Sequence, residues 1–303
     1  MYEDYFGFAE KPFTITPDPK YLYRSASHAD AFELLQYAVT QREAFAVITG
    51  DIGTGKTTLC RALLEQTDPK TFTTLLLNPF LSEEDLLKCM LKDFGVLSRL
   101  YRPSGIAPTR QELIEALHQF LLSLVPLGAR AVLIVDEAQN LPMPILEQIR
   151  ILSNLETNKQ KLLQIILIGQ SNLTPLLQSP ELRQLEQRIS IRYELQPLDG
   201  VDEVGAYISH RLAIADGNRA PVFTRDALRL IHRYSAGVPR LINLLCDRVL
   251  VGAYAGCLAN VGAGLVQASA ADLQLRSASQ PRPTWLGRMR HALVGRPVHA
   301  YSA

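Results

Sequence analysis

The chain has 303 residues, of which 47% are hydrophobic and 20% charged, and its formal net charge is +1. That leaves room for a sizeable core and a smaller second domain, and it excludes a global field that would draw nucleic acid or membrane. The charge is unevenly spread: from Arg276 onward there are five arginines and no acid, a tail of +5 that leaves −4 for residues 1–275.

The opening, MYEDYFGFAEKPF, is acidic and aromatic and lacks the basic and apolar regions of a signal peptide. With the turn-prone TPDPK that follows, it reads as an ordered arm, after which Ser27 is expected to cap a helix through S-x-x-D with Asp30 and to bury Phe32, Leu35 and Val39. Five short apolar runs are fit to be buried parallel strands: 44–49, 73–78, 131–136, 163–169 and 189–195. Helical segments separate them. One starts at a Ser82 cap, buries Leu86, Leu87, Met90 and Phe94, and stops at Gly95. Another has a Thr109–Glu112 capping box and a stripe of Leu113, Leu117, Phe120, Leu121 and Leu124. Such alternation predicts a parallel α/β sheet covered on both faces.

After PLDG (197–200) the character changes to helices alone. The uncharged stretch Val249–Ala271 is long enough to span a bilayer, but its four glycines favour two small helices with a turn near Leu258–Gly262. The expected division is 1–43 for arm and first helix, 44–198 for the α/β core, 199–275 for a helical lid and 276–303 for a disordered basic tail. In that tail Trp285, Met289 and Leu293 share a helical face among arginines, so contact with anionic lipid competes with a loose tail. Cys60, Cys89, Cys246 and Cys257 form no C-x-x-C and have no histidine at ligand spacing, and read as reduced, mostly buried thiols of a cytoplasmic protein.

Five features carry chemistry. GDIGTGKTT (Gly50, Asp51, Ile52, Gly53, Thr54, Gly55, Lys56, Thr57, Thr58) fits a phosphate-binding loop between strand and helix. Its Lys56 would reach the β/γ-phosphates of ATP, and its Thr57 hydroxyl would hold Mg²⁺. AVLIVDEAQN ends a strand in two carboxylates. Asp136 would bind Mg²⁺ and Glu137 would polarise the attacking water, which favours hydrolysis over phosphorylation of a small molecule. Gln170, directly after LQIILIG, can orient water if its strand lies between those of the loop and Asp136. Arg183 and Arg188, before the last strand, are candidates for an arginine finger acting on a neighbouring subunit. Arg240, in AGVPRL, stands at a helix N-terminus begun by Pro239 and can report the phosphates from the lid. His28 reads as capping or packing rather than ligating.

In this order the pieces resemble an AAA+ ATPase. MYEDYFGFAEKPFTITPDPKYLY, LEQIRILSNLETNKQKLLQIILIGQ, ELRQLEQRISIRYELQPL and AGVPRLINLLCDR are more specifically similar to the ExeA-type ATPases, the general secretion pathway protein A family, over about Met1–Leu275. The resemblance implies sheet order 5-1-4-3-2, Walker roles for Lys56, Thr57, Asp136 and Glu137, and sensor roles for Gln170 and Arg240. It implies Arg188 as finger, with Arg183 close behind, and an aromatic arm around Pro12 and Phe13 near the adenine. Longer members of the family continue into a transmembrane helix and a periplasmic peptidoglycan-binding domain. This sequence reaches Ala303 with neither, so a short form working through a membrane partner is expected.

The leading expectation is a homo-oligomeric ATPase that serves a type II secretion, pilus or exopolysaccharide system, cytoplasmic or peripheral at the inner membrane. A DNA-associated regulator of the transposition-helper kind shares the lid motif, but the −4 core and the lack of a helix-turn-helix speak against it. A switch with negligible turnover would not need Glu137.

Overall fold

The structure is a computed structural model that describes residues 1–77, 81–100, 107–216 and 219–275. The predicted tail, with Trp285, Met289 and Leu293, and the last residue of the second predicted strand, Asn78, lie outside the described residues.

Five strands form one parallel sheet: β1 (Phe45–Gly50), β2 (Thr71–Leu76), β3 (Arg130–Val135), β4 (Leu163–Gly169) and β5 (Ile189–Leu195). Their spatial order is β2-β3-β4-β1-β5, the expected order seen from the other edge. Each boundary falls within about two residues of its predicted run; the central strands β1, β3 and β4 are buried almost throughout and read as continuous apolar runs, whereas the edge strand β5 alternates buried and exposed positions. On one face Phe45, Val47, Leu133 and Ile165 pack under α4 (Glu83–Asp93), α5 (Arg110–Leu124) and α6 (Met143–Leu152). On the other, Ala46, Ile48, Ile134 and Ile166 pack under α2 (Ala26–Thr40) and α3 (Lys56–Glu65). The Ser82 cap on α4 and the Thr109–Glu112 box on α5 form as expected.

The cap of α2 differs from expectation. Ser25, not Ser27, accepts from the His28 amide at the N-terminus. Ser27 lies inside the first turn, where its Oγ accepts from the Gln196 amide at 2.9 Å and from the Tyr193 hydroxyl. Either serine hydroxyl can cap, although only Ser27 has the S-x-x-D spacing, and docking on β5 engages Ser27 elsewhere.

Short helices α7 (Leu173–Leu177) and α8 (Arg183–Glu186) follow β4. The lid comprises α9 (Gly200–Ile214), α10 (Arg225–Ser235), α11 (Pro239–Ala255) and α12 (Ala263–Asp272). A two-residue parallel ladder, Val222–Phe223 on Asn260–Val261, is a small addition to the all-helical expectation. It fills the turn expected near Leu258–Gly262, and no described helix is long and apolar enough to cross a membrane.

Packing divides the N-terminal segment. Helix α1 (Tyr2–Phe6), Phe8 and Phe13 are buried in the lid core with Tyr207, Leu245 and Val249, whereas α2 belongs to the sheet. The Tyr2 hydroxyl donates to Asp247 at 2.5 Å, and the Ala9 amide donates to the Ala215 carbonyl. The lid is therefore joined to the α/β core by two chain crossings, residues 14–23 and the stretch around Leu198. At the second, Gly237 has φ +75 and a Cβ there would lie 2.1 Å from the Leu198 carbonyl oxygen, so only glycine fits.

Candidate nucleotide site

Parallel strands gather functional side chains at the carboxyl edge of their sheet. Here register pairs Thr49 of β1 with Gly169 of β4, and Leu167 of β4 with Val135 of β3. The loop after β1, Asp136–Glu137 after β3 and Gln170 after β4 thus emerge side by side, with β4 in the middle as the sensor reading of Gln170 requires.

The 50–58 loop turns through left-handed backbone at Gly53 (φ +84) and Gly55 (φ +101), which non-glycine residues adopt at a cost of about 1–2 kcal/mol. Lys56 opens α3 buried, and its ammonium donates to the Gly50 and Asp51 carbonyls at 2.9 Å each. Burial pushes the Lys56 ammonium below its ordinary pKa, while Glu137, Asp136 and Asp51 oppose the shift. The Thr57 hydroxyl donates to Asp136 Oδ2 at 2.6 Å. A hydroxyl and a carboxylate placed together are hard oxygen donors suited to Mg²⁺, and the two glycines let Arg240 and His28 close on the loop, within 2.6 Å and 3.0 Å of where a Cβ would stand. The residues fit Mg²⁺ and a triphosphate.

Glu137 holds φ +52, left-handed for a non-glycine residue, and its amide donates to Asp136 Oδ1 at 2.9 Å. Its Oε2 accepts from Gln139 Nε2 at 2.6 Å and from Gln170 Nε2 at 3.1 Å. Gln139 was not singled out from the sequence; its only signal was a polar residue two positions after Glu137.

The lid closes the other side. The Arg240 amide donates to the Gly53 carbonyl at 3.1 Å, and Arg240 and Lys56 line the same cleft of roughly 180 Å³. Ile15, Thr16, Pro17 and Tyr23 line it as well. Phe13 does not: it is 2% exposed and sits in the lid core, so it cannot stack on a base. The apolar walls come instead from the next few residues of the crossing. Arg211, buried on α9, fixes that strand of chain by donating to the Pro12 carbonyl at 2.5 Å and to the Thr14 carbonyl at 3.4 Å, its guanidinium 4.4 Å from the Tyr21 ring centre. Asn243 adds a bond to the Thr14 carbonyl. Sequence reasoning missed both, since a polar residue on the inner face of a helix carries no motif.

His28 packs beneath the loop. Its Nε2 lies 2.9 Å from the Thr54 carbonyl and its Nδ1 2.7 Å from Ser25 Oγ. A carbonyl only accepts, so Nε2 carries the hydrogen and Nδ1 accepts from the serine. Burial pushes the imidazole below its ordinary pKa.

The two finger candidates sit apart from the cleft. Arg188 Nη1 donates to Ser153 Oγ at 2.5 Å and to the Arg150 carbonyl at the end of α6. Arg183 is exposed at the start of α8. Neither lines its own chain's cleft. The cysteines are free thiols, with Cys60 and Cys246 buried and Cys257 exposed, and burial pushes Cys60 up to about 12.

This arrangement of P-loop, carboxylate pair and lid on a β2-β3-β4-β1-β5 sheet defines an AAA+ ATPase fold. The AAA domain family model matches residues 39–177. Solved structures share the fold: the Aeropyrum pernix ORC2 protein at TM-score 0.64 (16% identity, 96% of this chain and 76% of that one), and Cdc6p from Pyrobaculum aerophilum at 0.62 (16% identity, 97% and 74%). The Thermotoga maritima RuvB Holliday junction branch migration motor matches at 0.52 (19% identity, 82% and 70%). Within that class, the chain is related in sequence to general secretion pathway protein A of Aeromonas hydrophila, 42% identical over 295 residues. The match takes in 97% of this chain and 52% of that protein, so the chain spans about half the length of its curated relative.

Proposed function

We propose that the chain hydrolyses ATP to ADP and phosphate at this cleft and uses the cycle to rearrange a partner in an envelope export system. The observation that carries the reading is the meeting of Lys56, Thr57, Asp136, Glu137 and Gln170 at one edge of the sheet. Lys56 takes up the β/γ-phosphates by exchanging carbonyl partners for charged oxygens, a stronger, charge-assisted bond. Thr57 and Asp136 would hold Mg²⁺, which neutralises charge on the phosphate oxygens when bound. Glu137 polarises the attacking water, and Gln170, beside it, orients that water. Arg240 reports the phosphates to α11, whose first amide already bonds the loop.

Arg188 or Arg183 completes a neighbouring subunit's site, which makes the working form a nucleotide-dependent homo-oligomer. Type II secretion, pilus or exopolysaccharide export is the system class, by relation to the Aeromonas protein, with the chain cytoplasmic or peripheral at the inner membrane. The DNA-associated alternative rests on the shared lid motif around Arg240 and on the basic residues after 275; the net charge of residues 1–275, −4, does not favour it. A pull-down from native cells with Glu137→Gln in ATP tests the choice. Secretin, pilus or polysaccharide-export subunits are expected, and a transposase, or DNA that survives nuclease controls, would replace the export reading.

A further inference from the structure

Gln139 belongs to neither the loop, the carboxylate pair nor the sensor, yet it touches two of these three. Its Oε1 accepts from the Gln170 amide at 2.9 Å while its Nε2 donates to Glu137 Oε2 at 2.6 Å. The Gln170 amide can only donate, so the side-chain oxygen must face it and the NH₂ must face the carboxylate, which fixes the amide orientation. The end of β4 is shaped to admit this side chain: a Cβ at Gly169 would lie 2.6 Å from Gln139 Oε1.

The consequence falls on Glu137. Two neutral amides converge on its Oε2, from Gln139 and from Gln170. Neutral donors hold the carboxylate in one orientation without the counter-charge that would weaken it as a base. A general base depends on placement, and a misplacement of about 1 Å can cost about 10²-fold in rate. Without Gln139, Glu137 retains only the longer bond to Gln170, whose own backbone loses its partner. Gln139 itself does not line the cleft.

We propose that Gln139 is a positioning residue that sets Glu137 for water activation and ties it to the sensor residue Gln170. The proposal rests on the hydrolytic reading above. It separates kcat from KM, because the residue acts on the carboxylate and not on the phosphates. Gln139→Met keeps the bulk and removes both bonds. Gln139→Glu keeps an acceptor for the Gln170 amide, loses the donor to Glu137 and sets a second carboxylate against it, which like-charge repulsion turns away. If Gln139 merely braced the β4 end, the loss in Gln139→Met would be the same with and without the Glu137 carboxylate.

The test measures kcat, KM and ATP affinity for both variants, alone and combined with Glu137→Gln. Both single variants should lose about 10–100-fold in kcat, within the range of a general base, while KM and ATP affinity stay within about twofold of wild type. Retained affinity also certifies that the variants fold. In the Glu137→Gln background, adding Gln139→Met should change the residual rate by less than about twofold, since residues acting as one unit are non-additive. Wild-type kcat in either single variant, or an equal loss in both backgrounds, overturns the positioning role while leaving hydrolysis at Glu137 standing. Wild-type turnover in Glu137→Gln alone overturns both.

Discussion

Substituting Gly237 by alanine probes how the lid is set against the nucleotide. Gly237 lies between α10 and α11 with φ +75, and its carbonyl accepts from the Leu198 amide at 2.9 Å. An added Cβ would lie 2.1 Å from the Leu198 carbonyl oxygen, which is backbone and cannot swing aside. The left-handed conformation alone costs an L-residue about 1–2 kcal/mol, and relieving the overlap breaks the Leu198–Gly237 bond, worth about 0.5–1.5 kcal/mol. The junction should therefore lose about 2–3 kcal/mol, which in a chain of this size lowers Tm by about 3–5 °C. The same shift moves Pro239 and Arg240 away from the loop, so ATP affinity should fall about tenfold or more, measured by titration with a fluorescent ATP analogue. A Tm within about 1 °C of wild type, with unchanged affinity, would refute the argument that this crossing sets the lid.

Other outcomes follow from the same geometry. Arg183→Ala and Arg188→Ala should each keep ATP affinity, and the true finger should lose about 10³-fold or more in turnover. Mixing that variant with Lys56→Ala should restore part of the rate if the finger acts in trans, and no recovery would count against a shared site. For His28, the folded-state pKa is depressed below the ordinary 6.5, so the neutral ring stabilises the fold above pH 6.5 and that contribution is lost as pH falls below it. His28→Gln, which retains a donor for the Thr54 carbonyl, should therefore show a flatter Tm between pH 7 and 5 than wild type; parallel curves would mean that His28 titrates alike in both states. Arg211→Met should raise KM more than it lowers kcat, because it frees the Pro12–Thr14 strand of chain beside the cleft and leaves Glu137 untouched.

The central strands were legible because strands buried on both faces are written as unbroken apolar runs, the edge strand β5 because its apolar residues alternate, and the P-loop because its chemistry needs glycine, lysine and threonine at fixed spacing. What was not legible depends on tertiary choice. Ser25 and Ser27 both carry a capping hydroxyl, and the S-x-x-D spacing favours Ser27, but the approach of β5 assigns Ser27 elsewhere. Phe13 reads as aromatic and available, but the lid core buries it and leaves the cleft to Ile15, Thr16 and Pro17. Gln139 and Arg211 are polar residues whose partners lie in other elements, at separations that no local pattern encodes. His28 read as capping or packing, and it packs, with the loop as its surface, while Ser25 supplies the cap.

The central claim is that Glu137 activates water in a chain that binds ATP through Lys56. Its most direct measurement is ATP affinity and single-turnover hydrolysis for wild type, Glu137→Gln and Lys56→Ala side by side. The account predicts that Glu137→Gln binds ATP as wild type does and hydrolyses it at least about 10²-fold more slowly, while Lys56→Ala loses binding. Hydrolysis at the wild-type rate in Glu137→Gln, or unchanged ATP affinity in Lys56→Ala, would contradict it.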